Sequence, residues 1–476
     1  MSSALQPEPV GTAPASLKRN TIGAFGLTFM VVAAAAPLTA MASNISLSLA
    51  FGVGAGTVGL LVVVAVLLTV FATAYVALSR HVTNAGAYYA FIGFGLGRAV
   101  GAGAAFVATV AYNMAAGGMI AATGYFADVT AVSYLDVDLP WYLYGAVALA
   151  LTAYLGRRGV DVAQRLTTGV SLLQFAVIVV LGVAVLLERP GSWDLGVFTP
   201  GQMLDGNIAM TLVFCILSFV GFEATAIYGE EAKAARRSIR VATYTSIALL
   251  VAVFVFSTWS IVAAYDDVQA AAAADPGSLV FRAADAYLGS WSGGLLSAMV
   301  TISFLAAGVA FHNMAARYHF SLGRTGLLPR ALAATHPRFG TPHRSSALQI
   351  GLSVLMLVPF AVSGADPILN LFPAVSGITS ISLTSLMIGC CLSIVVAGRR
   401  GLLPESRWVT LGAPLVAGAG MVAIVAIILA NYQEVTGSSS RVIALMPLLP
   451  LAAGLYGAVA YTLRARRVGE LEIDAS

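Results

Sequence analysis

The chain has 476 residues, of which 59% are hydrophobic and only 10% are charged, and its mean hydropathy is +0.89. This composition excludes an ordinary soluble globular protein and predicts an all-α integral membrane protein without a sizeable soluble domain. The three cysteines, Cys215, Cys390 and Cys391, lie in apolar segments and have neither disulfide nor metal-ligand spacing.

The first 17 residues are rich in Pro, Ala and Ser, which predicts a flexible cytoplasmic tail. Lys18 and Arg19 then precede an apolar run that ends near Ala40-Met41-Ala42, a small-residue pattern also found at signal-peptide cleavage sites. We favour an uncleaved first helix, because a multispan protein needs no removable signal and Pro37 is better explained as a helix break.

Apolar runs of membrane length predict about twelve helices, at about 20 residues for each span. They lie near residues 21–48, 56–80, 97–126, 140–156, 163–187, 208–230, 239–264, 284–318, 346–363, 368–397, 408–430 and 441–463. Residues 18–467 therefore form one transmembrane domain, and residues 468–476 form a cytoplasmic C-terminal tail.

The Lys and Arg residues predict the orientation, because short cytoplasmic loops are enriched in them. With twelve spans and a cytoplasmic N terminus, all 25 basic residues except Arg189, Arg282 and Arg441 fall on the cytoplasmic side. Both termini are then cytoplasmic in a multi-pass protein of the cell membrane. The net charge of +4 reflects this topology and contact with the lipid bilayer, not binding of nucleic acid.

Two helices contain interruptions in corresponding places, namely the first around 31–37 (VVAAAAP) and the sixth around 218–223 (SFVGFE). Such paired interruptions predict a midplane site, because a broken helix frees backbone N–H and C=O groups that a polar solute can satisfy. Glu223 is an ionisable group at membrane depth and hence a candidate functional residue. The structural alternative is that Gly221 permits close packing and Glu223 bonds a neighbouring helix.

Three motifs carry a resemblance to a known family. GFEATAIYGEEAKAARRSIRVATY (221–244) resembles the sixth-helix signature of amino acid permeases in the amino acid, polyamine and organocation superfamily. ARYHFSLGRTGLLPRALAATHPRFGTP (316–342) resembles the cytoplasmic loop after helix eight of that superfamily, and LSRHVTNAGAYY (78–89) is similar to its first cytoplasmic loop. The resemblance extends from about residue 21 to residue 467.

The resemblance implies a LeuT-like five-plus-five inverted repeat with helices 1 and 6 broken. Repeat one would cover about 21–187, repeat two about 208–397, and two appended helices about 408–463. It also implies alternating access around a substrate site beside the broken helices. The candidate substrate-binding residues come from helices one and six and from the pocket-facing parts of helices three and eight. They are Ala34, Ala35, Ala36, Pro37, Tyr112, Asn113, Ser218, Val220, Gly221, Phe222, Glu223 and Phe311.

Some residues depart from the family pattern. Leu217 stands where some basic amino acid exchangers have a gating tryptophan, and it offers no aromatic face to a guanidinium group. Ala33–Pro37 replaces a Gly-Ser-Gly-like break, so the register of the contacts in helix one stays open. Tyr112 and Asn113 could contact substrate or join helices, and Phe311 could be a packing residue.

Glu223 and His312 are candidates for proton coupling, since each can exchange a proton and the fifth helix lacks a lysine. Thr301 and Ser303 are candidates for a sodium site, because hydroxyls are hard-ion ligands, although hydroxyls also bond their own helix backbone. No Walker, nucleophile-elbow or Cys/His metal pattern occurs, so no cofactor, resident metal or catalytic residue is expected.

These observations predict a secondary active transporter of amino acids, coupled to protons or working by exchange, and not an enzyme. The alternative with the same fold is a transporter of a polyamine or another organic amine. A membrane-embedded enzyme using Glu223 and His312 and a pore without a filter motif are remote alternatives. The particular solute and the oligomeric state stay open at this stage.

Overall fold

The computed structural model describes residues 23–82, 88–158, 160–223, 225, 235–337, 339–437 and 440–468. The predicted N-terminal tail (1–17), nearly all of the predicted C-terminal tail, and most of the sixth-helix motif after Glu223 lie outside this part. Within it the chain forms helices and connecting turns, without a β-strand.

The helices of the first half of the chain bracket the first predicted interruption. They are α1 (Ala24–Ala35), α2 (Pro37–Ala40), α3 (Ser46–Phe51), α4 (Thr57–Ser79), α5 (Tyr88–Leu96), α6 (Arg98–Leu135), α7 (Trp141–Arg158) and α8 (Val160–Glu188). A π-helical turn, Met41–Ile45, joins α2 to α3.

The helices of the second half contain the sixth-helix break and the remaining long apolar segments. They are α9 (Pro200–Met203), α10 (Ile208–Phe219), α11 (Ala235–Ala264), α12 (Val268–Ala274), α13 (Leu279–Leu288), α14 (Ser292–Arg324), α15 (His343–Ser363), α16 (Phe372–Arg399), α17 (Ala413–Ala430), α18 (Tyr432–Thr436), α19 (Arg441–Leu445) and α20 (Leu448–Val468).

In the described part of the chain, 8 helical segments are long and apolar enough to cross a membrane. The number is 9 if the bent pair Leu173–Glu188 and Pro190–Phe198 counts as one span. They include α4, α6, α11 and every long helix from α14 onwards. The protein is therefore a multi-pass membrane protein. Some of the remaining predicted spans are broken, and others run into residues that the structure does not describe. Helix α7 ends on two arginines, which lower its mean hydropathy. The count of twelve spans therefore stays a prediction.

The structure differs from the predicted boundaries around helices three and eight. The third span does not end at 126, because α6 continues to Leu135. The eighth predicted run, 284–318, is divided in the structure, since α13 ends at Leu288 and α14 begins at Ser292. Gly289 lies between them with φ of 100°, a conformation that glycine adopts without strain, and it turns the chain between the two helices.

The long helix α6 lies at the centre of the packing, where it contacts α14, α16 and α20. Its small residues permit close approach, as is typical of helix pairs in membranes. A Cβ atom on Gly103 would lie 2.6 Å from the carbonyl oxygen of Gly454 on α20. A Cβ on Gly457 would lie 2.9 Å from the carbonyl oxygen of Ala102. Helix α20 is therefore held directly against the backbone of α6.

The outer faces of several helices remain apolar and exposed, as expected of surfaces that meet lipid tails. On α15, Val362 is 82% exposed and Leu355 is 71% exposed. On α4, Val66 is 59% exposed, whereas Phe71 and Tyr75 of the same helix are fully buried. The inner faces therefore form the protein core, and the outer faces provide the apolar surface that the bilayer requires.

Candidate functional site

The first break lies between α1 and α2. Ala36 has φ of 41° and ψ of 69°, a left-handed conformation, and Pro37 opens α2. Two properties of proline explain this geometry, because its ring disfavours the α conformation at the preceding residue and its nitrogen carries no hydrogen. The carbonyl of Ala33 consequently has no N–H donor one turn later. The break frees backbone groups at the end of one helix and at the start of the next.

The second break follows α10. Val220 has ψ of 132°, outside the helical range, and Gly221 has φ of 117°, where an L side chain would be strained. The N–H of Gly221 donates to Oε2 of Glu223 at 2.8 Å. Thr225 is again helical, and its hydroxyl lies 2.9 Å from the hydroxyl of Thr243 on α11. Helix six is therefore interrupted at Val220 and Gly221.

A buried hydrogen bond holds the two interrupted segments together. Nδ2 of Asn44, in the π-helical turn, donates to the hydroxyl of Ser218 at 3.3 Å. Ser218 in turn donates to the carbonyl of Phe214 at 2.8 Å, and Ser380 of α16 donates to the carbonyl of Val213 at 2.9 Å. The end of α10 is thus fixed from two sides by polar contacts.

A cavity of about 60 Å³ lies between the two breaks. A single water needs roughly 10–15 Å³, so this space accommodates several waters or part of a small solute. The cavity is lined by Ala35, Ala36, Thr39, Ala40, Ser43, Asn44, Ala115, Gly118, Met119, Leu217, Val220, Phe304, Ala307, Phe311, Phe372, Val375, Ser376 and Thr379. These lining residues are apolar or carry hydroxyl and amide groups, and none of them is charged.

Thr39 gives the cavity an available polar group. Thr39 is 5% exposed, and its hydroxyl has no hydrogen-bond partner in the part of the chain that the structure describes. Buried polar atoms are nearly always paired in folded proteins. Ser43, one helical turn later, donates instead to the carbonyl of Thr39 at 2.9 Å. Thr39 therefore marks a place where a bound polar solute would complete the hydrogen bonding.

Glu223 lies beside the break but does not line the cavity. It is 3% exposed, and its carboxylate accepts the hydrogen bond from Gly221 within its own turn. The hydroxyl of Tyr75 donates to the backbone carbonyl of Glu223 at 2.6 Å. Phe222 packs edge-on against Phe71 and Tyr75. In this conformation the carboxylate stabilises the interrupted turn, which lies against buried aromatic residues of α4.

The structure places the other predicted contact residues at different distances from the cavity. Ala35, Ala36, Val220 and Phe311 line it, and the side chain of Ala34 lies outside the described part. Tyr112 is one layer behind, with its ring centroid 6.3 Å from that of Phe311. Pro37, Asn113, Ser218, Gly221 and Phe222 belong to the surrounding structure and do not line the cavity.

His312 and Asn113 each bond polar partners away from the cavity. The ring nitrogens of His312 are hydrogen-bonded to Gln349 and, at 2.8 Å, to Ser346, both on α15. Asn113 donates to the carbonyl of Thr109 at 2.7 Å and lies 3.1 Å from Nε2 of His319. These contacts join α14 to α15 and to α6 inside the membrane domain.

The two candidate sodium ligands also lie away from the cavity lining. The hydroxyl of Thr301 donates to the carbonyl of Ser297 at 3.0 Å, a common arrangement for threonine in a helix. Ser303 is buried, with 2% exposure. Among the described residues, His, Cys, Asp and Glu form no group of three or more that could hold a metal ion.

The sequence interpretation missed the polar residues that line the cavity. They are Thr39, Ser43, Asn44, Ser376 and Thr379. A signal for three of them was available, because the segment TAMASN (39–44) begins two residues after Pro37 and its hydroxyls at 39 and 43 share one helical face. Asn44 is the more informative residue, since an amide within a membrane helix is either paired or functional.

Comparison with known proteins now gives the family. The family model described as "Amino acid permease" matches residues 22–453. The chain belongs to this family of membrane permeases. The expected resemblance to the superfamily's amino acid permeases is thereby confirmed.

Curated relatives are named as transporters of different solutes. The low-affinity putrescine importer PlaP of Escherichia coli is 26% identical over 51% of this chain and 54% of its own length. The branched-chain amino acid permease BcaP of Bacillus subtilis is 24% identical over 72% of this chain and 76% of its own length. The methylthioribose transporter of the same bacterium is 28% identical over 43% of each chain. The matched region therefore spans about half of the putrescine importer and less of the methylthioribose transporter.

Proposed function

We propose that the protein is a secondary active transporter of neutral amino acids with apolar side chains, working by alternating access across the cell membrane. The observation that carries this proposal is the uncharged cavity between the helix breaks at Ala36 and Val220. The family assignment supports transport of a small organic solute.

The freed backbone groups provide partners for the two charged ends of an amino acid. The first N–H groups of the helix that begins at Pro37 have no intrahelical acceptor, and the positive end of a helix dipole favours a carboxylate. The carbonyls at the end of α1, including that of Ala33, favour the ammonium group. Thr39 lines the cavity, and its hydroxyl has no hydrogen-bond partner among the described residues. An amino acid would thus bind through backbone groups and one hydroxyl, without a charged side chain.

The remaining walls determine which side chain the solute carries. Leu217, Val220, Phe304, Phe311 and Val375 face the cavity from α10, the break, α14 and α16. An aliphatic solute side chain gains about 25 cal/mol per Å² of apolar surface that it buries there, whereas a charged one loses its hydration without a partner. The relative named as a branched-chain amino acid permease supports the same solute class.

A polyamine is the alternative solute, because one relative is named as a putrescine importer and Glu223 is a buried carboxylate near the break. A diamine has two ammonium groups and no carboxylate, so each end needs an acceptor. Glu223 would have to leave the N–H of Gly221 and turn toward the cavity to supply one. The amino acid requires no such rearrangement of the described residues, and we therefore favour it.

For the coupling ion we favour a proton carried by Glu223, because its carboxylate bonds the backbone of the break itself. His312 is the second candidate, but two partners on α15 already satisfy its ring nitrogens. A sodium ion at Thr301 and Ser303 and exchange of one solute for another are the remaining possibilities. A gradient experiment separates them.

Uptake by purified protein in liposomes tests the proposal. The solutes are leucine, isoleucine, valine, alanine, arginine and putrescine, each offered under an imposed proton gradient, sodium gradient or internal counter-solute. We expect concentrative uptake of the aliphatic amino acids, driven by the proton gradient, and no uptake of arginine. Empty liposomes and protein with a cavity-filling Val220→Trp substitution serve as controls.

Several outcomes would contradict parts of this proposal. Uptake of putrescine without uptake of aliphatic amino acids would assign the polyamine function. Accumulation driven only by sodium, or only by internal solute, would exclude proton coupling. Chemical conversion of a solute without net transport would favour an enzyme.

A further inference from the structure

An apolar groove on the outer surface of α20 shares no lining residue with the candidate site. It encloses about 590 Å³ between α20 and the turn that follows α14. Gly326 and Leu327 line it on one side, and Tyr456, Val459, Leu463 and Arg464 line it on the other. The groove therefore combines one cationic side chain with apolar walls.

The local backbone explains why the arginine lies at this end of the groove. Helix α14 ends in a turn in which the N–H of Gly326 bonds the carbonyl of Gly323 at 3.0 Å, and Gly326 has φ of 72°. The guanidinium of Arg464 donates to the carbonyl of Gly326. A Cβ atom on Gly326 would collide with this guanidinium. Glycine therefore provides both the left-handed turn and the surface on which Arg464 lies.

Arg464 lacks a counter-charge within the described residues. None of the ion pairs found there involves it, and its Nε is buried without an acceptor. A guanidinium group has five N–H donors that match the oxygens of a phosphate. Arg330, which follows this turn, is a further exposed basic residue on the same connection. The groove is thus electrostatically suited to an anionic group.

The apolar part of the groove extends away from this charge toward the middle of α20. On α20, Leu455 is 60% exposed, Val459 is 55% exposed and Leu463 is 53% exposed. At about 1.5 Å per residue these side chains form a ridge roughly 12 Å long that ends next to Arg464. A ligand that fits both parts has a negative head and long apolar chains.

We infer that this groove binds an anionic phospholipid, with the phosphate on Arg464 and an acyl chain along Leu455, Val459 and Leu463. Basic pockets between membrane helices at the cytoplasmic surface are suited to anionic lipid head groups. Free inorganic phosphate would use only the arginine and would leave the apolar walls uncovered. The inference concerns lipid binding alone and does not depend on the solute that the protein carries.

Native mass spectrometry of the delipidated protein in detergent tests the inference. Dioleoylphosphatidylglycerol is titrated against dioleoylphosphatidylcholine, which has the same chains and a zwitterionic head. We expect tighter binding of phosphatidylglycerol at one site. Arg464→Gln should weaken that binding about tenfold without changing phosphatidylcholine binding, as expected for loss of a charge-assisted contact. Val459→Trp, which fills the groove from an exposed position, should weaken binding of both lipids.

Arg399→Gln is the matched control, because Arg399 is an exposed arginine at the end of α16 and lies outside the groove. Equal loss in Arg399→Gln and Arg464→Gln would show diffuse charge attraction and would overturn the inference. So would unchanged phosphatidylglycerol binding in both groove variants, or full displacement of the lipid by millimolar inorganic phosphate. Thermal unfolding of each variant distinguishes loss of binding from loss of fold. Because Val459 is exposed on the surface, we expect Val459→Trp to remain folded.

Discussion

At the scale of single residues, Glu223 is the group whose role depends most on its local geometry. The sequence marks it as a costly charge in an apolar segment, and the structure shows its carboxylate accepting a bond from the N–H of Gly221. The same carboxylate can therefore stabilise the turn and carry a proton. A substitution that keeps the first property and removes the second separates the two roles.

Glu223→Gln is that substitution, because the amide oxygen can still accept the bond from Gly221 but the side chain no longer titrates. We expect thermal stability close to that of the wild type and uptake that no longer varies with pH in proteoliposomes. His312→Gln serves as the comparison, and we expect it to retain the pH dependence. A wild-type pH profile in Glu223→Gln would leave the residue with a structural role only.

Asn44 and Ser218 form the direct side-chain link between the two interrupted helices. Removing Ser218 takes away the acceptor of the buried Asn44 amide, at a cost of about 1–3 kcal/mol, whereas removing Asn44 leaves Ser218 its bond to the carbonyl of Phe214 and costs less. We expect Asn44→Ala and Ser218→Ala each to lower the unfolding temperature and the uptake rate. The double variant should lose less than the sum of both effects, which a double-mutant cycle measures.

Ser48→Ala is the control for this pair, since Ser48 is fully buried in the adjoining α3 and its hydroxyl, within the described part of the chain, donates to the carbonyl of Asn44 at 2.8 Å and to no side chain. We expect it to change stability and uptake little. Strictly additive losses in Asn44→Ala and Ser218→Ala would show that the two side chains act independently.

At the scale of elements, both helix breaks have local causes that the sequence displays. Pro37 and Gly221 are the residues that most disfavour a continuous helix, and the chain leaves the helical conformation next to each of them. The sequence does not show which residue adopts the non-helical conformation at the first break. Ala36, and not a glycine, has the left-handed conformation, and its cost of about 1–2 kcal/mol must be offset by the surrounding packing.

Pro37→Ala tests whether the first break is needed for transport. Alanine supplies an N–H for the carbonyl of Ala33 and lets Ala36 return to the helical conformation. We expect equal or higher thermal stability and apparent solute affinity lowered roughly tenfold, as for loss of a hydrogen bond to a charged group. Initial uptake rates over a range of solute concentrations measure this.

Ala36→Gly provides the opposite control, because glycine adopts the left-handed conformation without strain and keeps the break. We expect it to transport like the wild type. If Pro37→Ala keeps full affinity, freed backbone groups at this break are not what binds the solute.

The positions of the cavity residues illustrate the limit of prediction from a single element. Phe311 was predicted from its place in helix eight, and it lines the cavity. Tyr112, on the neighbouring α6, lies behind Phe311 and does not. Both are aromatic residues in apolar helices, so the sequence pattern does not separate them. The rotation of each helix about its axis decides which of the two faces the cavity.

At the scale of the whole molecule, the distribution of basic residues predicts the orientation in the membrane. Gly201, at the start of α9, should be extracellular, whereas Arg330, after α14, should be cytoplasmic. Both positions are exposed. In intact cells, a membrane-impermeant maleimide should label Gly201→Cys, and should label Arg330→Cys only after permeabilisation.

The wild-type protein is the background control, since Cys215, Cys390 and Cys391 are buried and should remain unlabelled. Labelling of Arg330→Cys from outside, with protection of Gly201→Cys, would reverse the orientation. Labelling of both from outside would contradict the predicted number of spans between them.

The sequence by itself determined the membrane class, the approximate long apolar segments, the places of the two interruptions and, through its motifs, the permease family. These properties depend on composition and on residues close together in the chain, such as Pro37 beside four alanines. Only the tertiary structure decided that Asn44 bonds Ser218, that Thr39 faces a cavity and that Glu223 turns toward Gly221. Those contacts depend on how α2, α10, α14 and α16 are rotated and brought together. Apolar helices with nearly uniform faces carry little sequence information about rotation, because lipid and protein interior demand similar side chains.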